Sequence, residues 1–81
     1  MYDLISFVSR GKIRLKILKN LNQPMTPTTL SEKIHTHRST TSRAILSLQD
    51  KGLVECVTPK EKMGRLYRLT KIGKLVLTRL G

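Results

Sequence analysis

The sequence is short of acid. Only Asp3, Glu32, Asp50, Glu55 and Glu61 carry carboxylates, scattered along 81 residues against 16 Lys and Arg, for a formal net charge of +11. So sparse a set offers little to acid–base chemistry by paired carboxylates. Cysteine is represented by Cys56 alone, which rules out an internal disulfide and fits a reducing compartment. Tryptophan is missing and aromatics make up 4% of the chain, so the interleaved rings on which single-stranded bases stack are missing as well. No apolar run approaches the ~18 residues of a membrane span. The opening MYDLISFVSRGK has neither the basic start nor the small-residue cleavage site of a secretory signal, so a cytoplasmic protein is expected. Repeats, low-complexity tracts, phosphate-binding glycine loops and nucleophile–base sets are equally lacking. An enzyme is the poorest fit, and no cofactor is expected. His35 and His37 form a His-x-His pair, but a zinc site takes about three or four ligands and Cys56 is the only other soft donor, so no metal site is expected.

What is present is a periodic, positively charged chain. Its hydrophobic fraction of 38% separates it from a disordered basic tail. A chain of this length buries only about 60% of its unfolded surface, so residues 1–81 are expected to form one domain of modest stability. The charge, spread along the whole chain, points to a polyanion: DNA or RNA ahead of an anionic membrane.

Residues 1–21 read as two helical pieces with a break near Gly11. Leu4, Ile5, Phe7 and Val8 recur at helical spacing in the first, and Ile13, Ile17, Leu18 and Leu21 in the second. The first cluster exceeds what a small core covers, which makes Leu4, Ile5 and Val8 candidate dimer contacts. Asn22 to Pro24 turn the chain, Met25 opens a short extended segment, and Thr26 followed by Pro27 starts a helix that carries Leu30 and Ile34 inward and stops near His35.

The stretch from Thr36 to Gly52, THRSTTSRAILSLQDKG, reads as one helix. Thr36 or His37 opens it, with the Thr36 hydroxyl expected to accept from a backbone N–H, and Gly52 closes it. At about 100° per residue, Thr41, Ala44, Ile45 and Leu48 share the inner side, whereas Ser39, Ser42, Arg43 and Leu46 point away. That outer face is small, hydroxylated and basic. Short side chains let a helix backbone lie close to another molecule, and an arginine among them spans a guanine edge or a phosphate.

Beyond Gly52 the period changes. Leu53 to Thr58 and Leu66 to Leu69 read as strands of a hairpin whose tip carries Lys60, Lys62 and Arg65, with Tyr67 and Leu69 inward. Thr70 is expected to cap a last helix with an inner stripe of Ile72, Leu75, Val76 and Leu80. Leu77 falls off that stripe and is a further candidate dimer contact.

The order helix, helix, outward-facing third helix, hairpin, helix is that of an α+β, mostly α winged helix-turn-helix: a three-helix core, a two-stranded β-wing and a C-terminal helix. The pieces LSEKI, HRSTTSRAILSLQDKGLV and GRLYRLTKIGK also resemble bacterial and archaeal transcription regulators of the MarR and ArsR kind, over a span from Ile13 to Lys74. The resemblance implies a sequence-specific regulator of double-stranded DNA. In it the third helix, residues 37–51, enters a major groove through Arg38, Ser39, Thr40, Ser42 and Arg43. The wing, residues 58–66, lies on backbone or minor groove through Lys60, Lys62 and Arg65. Helix starts near Thr28 and Arg38 add backbone N–H anchors for phosphate, and His37 meets a phosphate or caps its helix. Base choice falls to Ser39, Ser42 and Arg43, with Leu46 available to a thymine methyl. A homodimer is expected because one helix in one groove discriminates poorly. The competing readings are a protein-interaction winged helix and a non-specific RNA or chromatin binder.

Overall fold

The computed structural model describes residues 2–80. Over these the chain runs α1 (Tyr2–Ser9), α2 (Lys12–Asn20), α3 (Pro27–Lys33), α4 (Arg38–Asp50), β1 (Val54–Cys56), β2 (Tyr67–Leu69) and α5 (Lys71–Leu80). This is the winged helix-turn-helix arrangement, mostly helical with one antiparallel pair of strands. Among the described residues no helix is long and apolar enough to cross a membrane.

Each helix start follows from local chemistry. Gly11 breaks α1 from α2 and occupies the cap position of α2. The Thr26 hydroxyl accepts from the Thr29 N–H at 3.1 Å, and Pro27, whose missing N–H would have had no partner, is the first residue of α3. In α4, Thr41, Ile45 and Leu48 are buried, and the Thr41 hydroxyl is satisfied by donating to the His37 carbonyl at 3.0 Å. The core gathers Ile17, Leu18 and Leu21 from the α2 region, Leu30 and Ile34 from the α3 region, Ile45 and Leu48, then Leu53, Val54, Tyr67, Leu69 and Val76. Each such leucine or isoleucine contributes about 1.5–3 kcal/mol by leaving water.

Thr36 does not cap α4 as expected. The helix begins at Arg38 with His37 at the cap position and no side-chain cap, and the Thr36 hydroxyl donates instead to the Ile34 carbonyl at 3.3 Å. The reason lies at the end of α3. His35 takes φ 56°, the Thr36 N–H returns to the Ser31 carbonyl at 2.9 Å, and Thr36 is thereby held in the turn, before the helical residues begin.

The strands are shorter than the β-rich sequence suggests. Val54 pairs with Leu69, Glu55 with Arg68 and Cys56 with Tyr67. Beyond them the Val57 N–H still reaches the Leu66 carbonyl at 2.7 Å, but the Leu66 N–H turns to the Thr58 hydroxyl at 3.0 Å and the ladder ends. Pro59, with no N–H, cannot extend it. Met25 completes the sheet from the far side, exchanging backbone hydrogen bonds of 3.0 and 2.9 Å with Tyr67 and tying the turn before α3 to the wing.

α5 docks on a different side from the one expected. The Thr70 hydroxyl accepts from the Gly73 N–H at 3.0 Å and donates to the Gly52 carbonyl at 2.6 Å, fixing the start of the helix against the end of α4. A Cβ at Gly73 would lie 2.1 Å from the Leu53 carbonyl oxygen, so the helix approaches β1 through the one position without a side chain. Rotated accordingly, Gly73 and Val76 are buried and Leu77 and Leu80 pack on the core. Ile72 and Leu75, expected inward, are 44% and 52% exposed. Leu77 is half-buried against the core of its own chain. Leu4 and Ile5 are half-buried against the same core, whereas Val8, at 0% exposure, is a packing residue of its own chain that no partner can reach.

Candidate nucleic-acid interface

With Thr41, Ile45 and Leu48 fixed on the core, the remainder of α4 divides into a crest and two flanks. Ser39, Arg43 and Leu46 are exposed, Leu46 to 55%. On one flank Arg38 and Ser42 share a cleft with Thr26 and Thr28 from the start of α3 and with Lys62 and Arg65 from the wing. On the other, Thr40, Arg43 and Ser47 share a cleft with Lys12 and Arg14 from the start of α2. Helical geometry produces this division. Arg38 and Ser42 are four residues apart, and Thr40, Arg43 and Ser47 recur at spacings of three and four, so each set lines one side of the rod.

The wing is held by its own backbone. The Glu61 N–H bonds the Thr58 carbonyl at 3.1 Å, Arg65 donates Nε to the Glu61 carbonyl, and Gly64 takes φ 66° to turn the chain back. Lys60, Lys62 and Arg65 are all exposed, but only Lys62 and Arg65 line the cleft with α4. Met63 stands at the tip with 87% exposure.

His37 is not gathered with the other candidates. It is exposed and lines a separate concavity with Ser31, Glu32, His35 and Thr36. Among the described residues no group of three His, Cys, Asp or Glu side chains is arranged to hold a metal ion.

The charge on the α4 side is left uncompensated. Among the described residues one ion pair forms, between Arg68 and Glu55 at 2.8 Å, across the two strands. Being about half exposed, it adds only ~0.2–1 kcal/mol. No acid lines either cleft beside α4. Lys12 and Arg14, candidate phosphate donors from the basic residues of the first helical stretch, stand in these walls together with Thr26. All three precede the third helix in the chain, and no spacing rule connects them to it; only the packing of α2 and α3 against α4 does.

The family model described as the HVO_A0261 N-terminal domain matches residues 2–81. None of the curated proteins matches the chain. Among solved structures, the PcaV transcriptional regulator from Streptomyces coelicolor superposes with a TM-score of 0.81 at 28% identity, over 96% of this chain and 62% of that one. A MarR family transcriptional regulator from Silicibacter pomeroyi gives 0.76 at 26% identity, over 98% and 55%. The reduced form of MarR from E. coli gives 0.78 at 24% identity, over 95% and 59%, a likeness of fold. The chain thus spans between 55% and 62% of the length of these structures. With a MarR-like winged helix matched along nearly its whole length, the chain belongs to the HVO_A0261 N-terminal domain family.

Proposed function

We propose that the protein is a sequence-specific, double-stranded DNA-binding transcription regulator that works as a homodimer on the chromosome in the cytoplasm. The observation that carries this reading is the crest of α4: exposed Ser39 and Arg43 on a helix whose flanks are lined by cations and free of acid. In the reading, α4 lies in a major groove. Ser39, Ser42 and Arg43 meet base edges, and Arg38, Thr40, His37 and the α3 start at Thr28 meet the sugar–phosphate backbone. Lys60, Lys62 and Arg65 carry the wing along backbone or minor groove. The likeness to transcription regulators at 26–28% identity supports it.

The homodimer is proposed from economy, since one recognition helix in one groove discriminates poorly. Two symmetric copies with recognition helices about 34–36 Å apart read successive major grooves on one side of a duplex. Leu4 and Ile5, together with the exposed Ile72 and Leu75 of α5, supply the apolar surface for a symmetric contact.

Selection of bound duplexes from a random pool tests the reading directly. A recurrent motif with two-fold symmetry is the expected result, and enrichment of no motif overturns sequence specificity. With that duplex in hand, Arg43→Ala should cut the preference over random sequence by about 10–100-fold, a loss of ~1–3 kcal/mol, while weak general binding remains. Equal binding by wild type and Arg43→Ala on both duplexes would favour the protein-interaction module. Light scattering after size exclusion tests the dimer, and a monomer both free and on DNA overturns it.

A further inference from the structure

We infer that the cleft between α2 and α4 is a second phosphate seat, placed so that the protein grips both backbones bordering one major groove. The inference rests on the DNA-binding reading above and adds to it the strand, the residues and the direction of grip.

A B-form major groove is about 12 Å wide, and an α-helix with its side chains is about 10–12 Å across. A helix lying in the groove therefore has a row of phosphates beside each flank. The flank toward the wing meets one row with Arg38, Lys62 and Arg65. The opposite flank needs its own cations, and α4 supplies only Arg43; Lys12 and Arg14 come from α2. These two clefts are also set apart by composition. Three other concavities each include a carboxylate, Asp3 beside α1, Glu32 beside His37 and Glu55 beside α5, whereas both clefts flanking α4 include none.

Arg14 stands between this seat and the concavity beside α1, which it also lines together with Asp3 and Phe7. Its guanidinium carbon lies 3.9 Å from the centroid of the Phe7 ring, an arrangement that holds the side chain in place without neutralising it. Its Nε is buried with no hydrogen-bond partner. Gly11 makes room for it, since a Cβ there would come within 2.3 Å of that Nε. Gly11 also starts α2 without a side-chain cap, which leaves the first N–H groups of the helix without a side-chain acceptor. Lys12, exposed at the mouth, and the half-buried hydroxyls of Thr40 and Ser47 complete a donor-lined concavity, although the Ser47 hydroxyl already donates to the Ala44 carbonyl.

Because a phosphate contact is blind to sequence, any duplex of mixed sequence serves as the probe. Lys12→Gln should weaken binding about fivefold at ~0.15 M salt and lower the slope of log affinity against log salt by ~0.9, equally on specific and random duplexes. Lys19→Gln, an exposed cation of α2 outside both clefts, should change neither quantity. Arg14→Gln provides a second variant, and circular dichroism reports that each remains folded. A scan of single methylphosphonate linkages then locates the contacts. Within one half-site of the selected duplex, the neutral linkages that cancel the effects of Lys12→Gln and of Lys62→Gln should lie on different strands. If Lys12→Gln and Arg14→Gln behave like Lys19→Gln while wild type binds, the seat is refuted and the DNA-binding reading stands. If both linkages fall on one strand, the two-sided grip is refuted. If wild type fails to bind duplex DNA at all, both fall together.

Discussion

The ends of α3 and α4 are built by the same hydrogen bonds and filled by opposite chemistry. At each, the chain passes through a left-handed residue, Gly52 at φ 77° after α4 and His35 at φ 56° after α3. At each, the following N–H reaches back to a carbonyl in the last turn: Leu53 to Leu48 and Thr36 to Ser31, both at 2.9 Å. After α4 the two residues joined in this way are leucines fully buried in the core, and the left-handed position is a glycine that pays no Cβ penalty. After α3 they are a serine and a threonine, and the left-handed position is a histidine, which carries about 1–2 kcal/mol of strain. The end of α4 is thus anchored by leucines joined through the turn, whereas the residues joined across the α3–α4 turn are hydroxylated, immediately before the residues proposed to meet DNA.

Substitutions at the two ends should reproduce this asymmetry. Leu53→Ala should have the largest effect, destabilising the fold by about 2–5 kcal/mol in urea or thermal unfolding, because it opens a cavity where α4, β1 and α5 meet. A loss below ~1 kcal/mol would mean the α4 end is not anchored by burial. Gly52→Ala should cost about 1 kcal/mol: nothing lies within 4 Å of the added methyl, so ~1–2 kcal/mol of backbone strain is offset only by the ~0.4–1 kcal/mol that alanine removes from the freedom of the unfolded chain. Thr36→Ala, which removes a half-buried hydroxyl bonded to the Ile34 carbonyl, should cost only about 0.5–1.5 kcal/mol. His35→Gly should have the smallest effect and the opposite sign. Relief of ~1–2 kcal/mol of strain outweighs the ~0.4–1 kcal/mol that glycine adds to the freedom of the unfolded chain, giving a gain of about 0.5 kcal/mol and a midpoint raised by ~2–4 °C. Destabilisation by His35→Gly would show that the histidine side chain holds the turn.

The same pair of turns marks how far the sequence is legible. Gly52 announces its turn because glycine is the default residue at a left-handed position; His35 gives no such signal, and so the sequence leaves Thr36 and His37 both open as the first residue of α4. The inner stripe of α4 follows from periodicity, since Thr41, Ile45 and Leu48 have one core to face. That of α5 does not, because Gly73, which counts as neutral in any hydrophobic pattern, sets the docking face by letting the helix come within contact of the Leu53 carbonyl. Ile72 and Leu75 are outward for that reason. In the interface, the residues of α4 and the wing could be named from the sequence, whereas the partition into two clefts could not.

The sequence by itself determined the order and type of the elements, the positive charge and its lack of compensating acid, and the side of α4 that faces the core. These depend on local dihedral preference, on apolar spacing and on a count of charges, all of which act within one or two turns of chain. Tertiary structure alone decided the rotation of α5, the removal of Val8 from the surface, and the placement of Lys12 and Arg14 beside Thr40 and Arg43. Those outcomes depend on which backbones can approach most closely, a matter of steric fit between segments about 20–60 residues apart, and no local pattern encodes it.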